Sequence, residues 1–397
     1  MFEKFEKLVN LALAEGFEKA EVYASAVGSF SVGVYEGHIE NYSVAKRAGL
    51  SLRGLLNGQM GYASTESDDE SEYAELVARA KENAEVLESQ DEQFLYDGTE
   101  KLDWISSLNP ELEKVTPEQK IALAMDLEKK CLELGGEGTR VASCEVGTDS
   151  SSCVMVNSLG LHRTFESNTA YAAVEVVIAQ GDKQYPGFAF RFTRDFNELN
   201  VEELAKEALA EARKYIGAQS IPSAAMPVVM DKAAMRTMLA TFAGVFSAEA
   251  AQKGLSLLGG KEGGNVANSA VTIWDDPSDG LGLAGMPFDG EGVPTQKKAV
   301  VENGKLNTLL YTLKSAKKAG KNTTGNAARA SYMSTVGTAP TNFYIAPGKN
   351  TVEQLYQMAG NGVRIDELMG THAGANPISG DFSLSCKGMK IENGKLT

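Results

Sequence analysis

Histidine is nearly missing from this chain: His38, His162 and His372 are the only three among 397 residues. No H-E-x-x-H pair occurs, so a protease built on two imidazoles of one helix is excluded. A G-x-S-x-G nucleophile elbow is missing too. Cysteine is scarce, and Cys131, Cys144, Cys153 and Cys386 form no C-x-x-C pair. That spacing excludes a zinc ribbon or a thioredoxin-like motif and reads as reduced thiols. Positive charge is in short supply, with 38 Lys and Arg against 53 Asp and Glu and a net charge of -15. Nucleic acid is therefore not expected as a partner, because affinity for phosphate backbones rests on clustered cations. No apolar run approaches the roughly 18 residues that span a bilayer, so no membrane segment is expected. The opening Met1-Phe2-Glu3-Lys4-Phe5-Glu6-Lys7 lacks the apolar core of a signal peptide, which predicts a cytoplasmic protein.

What is present is ordinary globular material, 43% hydrophobic and 23% charged, in a chain too long for one typical domain. A change of texture at Ser220-Ile-Pro-Ser-Ala-Ala-Met-Pro227 divides it into an N-terminal domain, 1–221, and a C-terminal β-rich domain, 222–397. Phe2, Phe5, Leu8, Val9, Ala12 and Leu13 recur at helical spacing up to Gly16. Short β-type runs follow, Glu21–Ser25, Ser31–Tyr35 and Gly49–Arg53, separated by glycines and by Asn57-Gly58. Thr116-Pro117-Glu118-Gln119 opens a helix to Gly135. A central strand is expected over Tyr171–Ala179 and a helix over Val201–Ile216. In the second half, helices are expected at 232–246 running on to 253, at 312–319 and at 352–359. Strands are expected at 271–274, 298–301, 306–311 and 362–368. Glu-Asn-Gly-Lys stands at 302–305 and again at 392–395, each with Asn-Gly placed for a type I′ hairpin. The fold class is α+β: an N-terminal antiparallel sheet with helices, then a second β-rich α+β domain.

Three familiar patterns match without their physical context. Gly280-Leu-Gly282-Leu-Ala-Gly285 fits G-x-G-x-x-G, but Pro287 and Asp289 follow where a helix must open to hold a pyrophosphate. Gly259-Gly-Lys261-Glu262 has a carboxylate where a P-loop needs a hydroxyl for magnesium. Asp275-Asp-Pro-Ser-Asp279-Gly280 starts like an EF-hand, yet Pro277 occupies a ligand position and Met286 replaces the bidentate glutamate.

The informative segments combine glycine with short polar side chains, where the backbone can come close to a ligand. They are Phe288-Asp-Gly-Glu-Gly-Val-Pro-Thr295, Gly320-Lys-Asn-Thr-Thr-Gly-Asn-Ala-Ala-Arg329, Pro340-Thr-Asn342, and Gly370-Thr-His-Ala-Gly-Ala-Asn376 with Ser379-Gly-Asp-Phe-Ser383. In this order they resemble the TldD/PmbA family, on its PmbA (TldE) side. In that family of peptide-maturation metalloproteases and gyrase modulators, the TldD-type subunit carries an H-E-x-x-x-H zinc helix and the PmbA-type partner lacks it. The matching positions here are Ser247, Ala248 and Gln252, and Glu249 lies one residue off register, roughly 100° around a helix. The resemblance therefore implies a non-catalytic subunit with no cofactor and no metal of its own. It would pair with a TldD-like metalloprotease and bind unfolded peptide. The peptide contacts would come from Asp289, Gly290, Glu291, Gly292, Thr323, Thr324, Gly325, Asn326, Arg329, His372, Asn376 and Asp381. Relatives are expected to continue past Thr397 with a further strand-rich segment. Two other readings stay open: a homodimeric peptide-binding or regulatory protein, and a stand-alone metallopeptidase with unusual ligands around His372.

Overall fold

The computed structural model describes residues 2–88, 91–98, 100, 102, 107–278 and 282–397. The Gly-x-Gly and EF-hand-like matches pass through Asp279, Gly280 and Leu281, which lie outside the described residues.

The first half is built on two strands far longer than the sequence runs suggest, β1 (Lys19–Tyr35) and β2 (His38–Leu56). Glycines were expected to separate these runs, but Gly28 passes straight through β1, and Gly49, expected as the start of a run, lies well inside β2. Their role is close approach: a Cβ at Gly28 would crowd the Ser150 hydroxyl, and one at Gly49 would collide with the Tyr332 ring. The chain turns at Asn57-Gly58, with φ of 51° and 77°, into β3 (Gln59–Thr65). With β4 (Thr139–Asn157), β5 (His162–Gln180) and β6 (Lys183–Thr193) it forms one antiparallel sheet in the order β3-β2-β1-β4-β5-β6.

Four helices cover a single face of this sheet. Helices α1 (Phe2–Ala14) and α2 (Tyr73–Glu85) bury Leu8 and Leu76 against Val22 and Leu52 at one end. At the other end α3 (Pro117–Gly135) and α4 (Val201–Lys214) bury Leu127 and Leu204 against Val32, Val146 and Val174. The Thr116–Gln119 capping box forms, with Pro117 inside it. Because side chains alternate along a strand, the even positions of β1 face the helices and the odd ones, Glu21, Tyr23 and Ser25, face away. That opposite face is where the second half docks. Tyr23, Cys153, Met155 and Phe165 of the sheet pack with Phe288, Val293 and Tyr332.

The second half opens with β7 (Val228–Met230) and α5 (Lys232–Phe242). The helix expected to run through to residue 253 breaks over Ala243–Phe246 and restarts as α6 (Ala248–Gln252). Ser247 takes extended angles there, so that its hydroxyl can accept the Ala250 N–H. Strands β8 (Ile273–Asp275), β9 (Lys298–Glu302) and β10 (Lys305–Leu306) precede α7 (Leu313–Ala319). The strand expected to reach residue 311 stops early, and Leu310 makes only an isolated bridge to Ser247. Next come β11 (Ala327–Ala328), β12 (Gly337–Thr338), β13 (Phe343–Ile345) and α8 (Val352–Ala359). The chain closes with β14 (Gly362–Met369), α9 (Thr371–Gly374), β15 (Ser385–Glu392) and β16 (Lys395–Leu396). The sheets run β10-β9-β8-β13 and β16-β15-β14-β7, with a small β11-β12 pair. Both expected Asn-Gly hairpins form, with φ of 49° and 80° at Asn303-Gly304 and 51° and 75° at Asn393-Gly394. The architecture is α+β.

Candidate functional site

The turn after Phe288 is organised by one carboxylate. Asp289 Oδ1 accepts the N–H groups of Glu291 at 2.8 Å and Val293 at 3.0 Å, and Oδ2 accepts that of Ala327 at 2.9 Å. Glu291 Oε2 in turn accepts the N–H of Leu313 at 2.8 Å, at the start of α7. On the facing sheet, Glu21 and Arg53 sit directly opposite each other on β1 and β2. Their side chains make a fork, Arg53 Nε to Glu21 Oε1 at 2.7 Å and Nη2 to Oε2 at 3.2 Å. Arg329 joins the halves, with Nη2 2.5 Å from Glu21 Oε1 and its guanidinium carbon 4.7 Å from the centre of the Tyr23 ring. Arg53 Nη1 reaches Glu291 Oε1 at 3.8 Å. All five charged side chains are buried.

Burial sets the electrostatics of this cluster, and neighbouring charges decide its sign. Desolvation alone would raise Glu21, but Arg53 and Arg329 outweigh it and hold the carboxyl below its usual range. Asp289 has only backbone N–H partners, so burial and then the charge of Glu291 push it up to about 7. Burial also raises Glu291, against the pull of Arg53. Burial, and then repulsion by Arg53, lower Arg329, and its Nε and Nη1 are buried without an acceptor.

Behind this cluster lies a second buried network centred on Asp275. Its oxygens accept from Thr341 N at 2.6 Å, Thr341 Oγ1 at 2.7 Å, Asn326 Nδ2 at 2.7 Å and Lys298 Nζ at 2.7 Å. Thr324 Oγ1 accepts from Tyr311 N and donates to Asn326 Oδ1. Thr323 Oγ1 donates to Tyr311 O at 3.0 Å. Gly290 N donates to Ala327 O at 2.8 Å, and Gly292 O accepts from Arg163 Nε at 3.3 Å. At Gly292 and Gly325, φ is +83° and +67°, and a side chain would strike Leu161 or the Pro294 carbonyl respectively. A cavity of about 390 Å³ lies between the sheet and these segments, bordered by Tyr23, Ser25, Phe165, Asp289, Asn326 and Thr341.

The structure thus brings together nine of the residues read from the sequence: Asp289, Gly290, Glu291, Gly292, Thr323, Thr324, Gly325, Asn326 and Arg329. The Arg329 guanidinium, expected to hold a peptide directly, is instead turned onto Glu21 and Tyr23 with its side chain 1% exposed. His372, on α9, and Asn376 and Asp381, in the turn that follows it, belong to a separate exposed segment. There Asn376 Oδ1 accepts the N–H groups of Ile378 and Ser379, and Asn376 N donates to Asp381 O. Among the described residues no hydrogen bond or ion pair joins that turn to the Asp289 cluster. Glu21, Arg53 and Tyr23 are not legible as site residues in the sequence. Their signal in the sequence is a polar or charged side chain at alternate positions of β-type runs, and its meaning depends on the pairing register.

The positions that the resemblance matches to a zinc motif hold structural roles. Ser247 Oγ accepts the N–H of Ala250 at 3.2 Å, Ala248 is buried, and Gln252 Nε2 donates to Ser315 O at 2.7 Å, tying α6 to α7. Glu249 turns away to Lys253 at 2.7 Å. This donor set does not fit a zinc ion, and among the described residues no group of three His, Cys, Asp or Glu could hold a metal.

Comparison with known proteins yields three family matches. Residues 20–84 match the PmbA/TldA metallopeptidase domain 1, residues 110–215 the central domain, and residues 223–397 the C-terminal domain. The metalloprotease PmbA homolog of Haemophilus influenzae is 25% identical over 399 residues, covering 98% of this chain and 84% of the relative. A Thermotoga maritima protein, described as a candidate modulator of a DNA gyrase, has a similar structure at a TM-score of 0.91 and 30% identity. That match covers 100% of this chain and 90% of the other. TldE from Thermococcus kodakarensis shares the fold at a TM-score of 0.88 and 24% identity, covering 99% and 89%.

Proposed function

Since the chain belongs to the PmbA/TldA metallopeptidase family, we propose that it is a cytoplasmic subunit without hydrolytic chemistry of its own, which pairs with a TldD-like metalloprotease and helps hold unfolded peptide. The observation that carries this reading is the state of α6. Where a zinc helix needs two imidazoles and a general base, this chain has a capping hydroxyl, a buried methyl and an amide bonded to α7. None of those three side chains can lower the pKa of a bound water or take its proton, and Glu249 is turned away to Lys253. Hydrolysis is then the partner's task. The buried networks around Asp289 and Asp275 support the reading by anchoring the 325–330 and 339–341 segments at the rim of the 390 Å³ cavity, which leaves room for an extended peptide between them and the sheet.

The test is co-expression with a relative that carries H-E-x-x-x-H. We expect the two chains to co-purify and to cleave an unstructured peptide together. The chain alone should hold less than stoichiometric zinc and leave the peptide intact. About one tightly held zinc per chain, with chelator-sensitive cleavage by this chain alone, would refute the proposal.

A further inference from the structure

The walls of the cavity between the sheet and the glycine-rich segments are chemically selective. Its floor is the sheet face turned away from the helices, with Ser25 and Val27 of β1, Ser151 and Cys153 of β4, and Phe165 and Ser167 of β5. None of these side chains carries a charge. Burial pushes the Cys153 thiol up to about 12, so it stays protonated. Ser151 and Ser167 bond each other through their hydroxyls at 2.7 Å. Leu283, Met286 and Pro340 contribute to the opposite wall, from the second half of the chain.

Among the described residues, two charged side chains border this space, Asp289 and Arg329. Both are already engaged. The Asp289 oxygens accept three backbone N–H groups, and the residue is 5% exposed. Arg329 gives Nη2 to Glu21 and lies over Tyr23, with its side chain 1% exposed. A charged group that enters the cavity therefore sheds water without meeting a counter-charge, which is unfavourable. An apolar group has no such cost and gains contact with Val27, Phe165 and Met286. The volume of about 390 Å³ is near the small end of ligand cavities, roughly 300–1,000 Å³, and suits a short stretch of peptide.

We propose that this cavity selects peptide segments with uncharged, chiefly apolar side chains and rejects lysine, arginine, aspartate and glutamate. Discrimination comes from the penalty on the wrong side chain, an unpaired charge in a partly dry space, as much as from contacts with the right one. It runs against the field of the whole molecule in one respect. With a net charge of -15, long-range attraction alone would draw a lysine peptide in preference to a neutral one. Lysine is therefore the stricter probe. The inference rests on the peptide-holding reading above and names the class of peptide held.

The experiment uses the full chain alone, so its result is independent of whether the chain pairs with a protease. Fluorescein-labelled hexapeptides that differ only in a central leucine, lysine or aspartate are mixed with increasing protein, and binding is read by fluorescence anisotropy. A salt concentration of about 0.3 M screens the long-range field. The leucine peptide should bind, and the lysine and aspartate peptides should each bind about tenfold more weakly or worse. Ser151→Asp then places a carboxylate on the cavity floor at an exposed position, where the melting temperature should stay within a few degrees. This variant should bind the lysine peptide severalfold better than wild type does and leave the aspartate peptide weak. Equal binding of the leucine and lysine peptides by wild type would overturn the inference and leave the peptide-holding reading standing. An unchanged lysine affinity in Ser151→Asp would also overturn it, because the peptide would then lie elsewhere. No binding of any of the three peptides would overturn both.

Discussion

Replacing Asp289 by asparagine should change how stability depends on pH more than it changes stability itself. Asp289 is buried beside Glu291, with backbone N–H groups as its hydrogen-bond partners, and its pKa is pushed from 3.8 to about 7. The folded protein therefore keeps a proton that the unfolded chain releases above pH 4. Stability falls as the pH rises from about 4 to about 7 and levels off above that. The gap of roughly three pH units corresponds to about 4 kcal/mol at full ionisation, and about 3 kcal/mol of it falls between pH 5 and pH 8. Asparagine is neutral throughout. It also loses at least one of the three accepted N–H bonds, at a pH-independent cost of about 1–3 kcal/mol. Urea unfolding of both proteins at pH 5, 6, 7 and 8 checks the reasoning. The variant should be clearly weaker at pH 5, and the difference should shrink by about 3 kcal/mol, or reverse, by pH 8. Glu291 is raised by its own burial, so the variant keeps that part of the pH dependence. Parallel profiles across the range would refute the assignment of this proton to Asp289.

Other outcomes follow from the same coordinates. Arg329→Met should cost about 3–5 kcal/mol in urea unfolding, because Glu21 loses one of two buried cations. Arg329→Lys should recover only part of that loss, since lysine is a point charge without the flat surface that lies over Tyr23; full recovery would show that charge alone matters there. Gly61→Ala should lower stability by about 1–3 kcal/mol, since its Cβ would collide with the Ala80 carbonyl of α2, and calorimetry would register this as a lower Tm. Thr116→Ala, at the α3 capping box, should cost about 1 kcal/mol, and an unchanged urea midpoint would contradict the cap's contribution.

Much of this protein is determined locally and is therefore legible in its sequence. Asn-Gly with both residues at positive φ can only turn a tight hairpin, so Asn57-Gly58, Asn303-Gly304 and Asn393-Gly394 announce themselves. Thr116, Pro117 and Gln119 state where α3 begins, because a cap needs those donors and acceptors within one turn. The absence of an H-E-x-x-x-H spacing is equally local, since ligand spacing on one helix is a matter of adjacent residues. Other features required the fold. Gly28 reads as a break and Gly49 as the start of a run, and only the approach of Ser150 and Tyr332 shows why both belong inside strands. The glycine-rich segments were found, but their side chains could be told apart only in three dimensions. Asp289 and Asn326 turn inward to backbone and Asp275, whereas His372, Asn376 and Asp381 stand on another surface. Glu21 and Arg53 were invisible as a pair because 32 residues separate them. Arg329 meets Glu21 across 308. Charges that far apart along the chain become partners only through strand register and the docking of the two halves. Burial then amplifies their interaction by removing the water that would otherwise screen it.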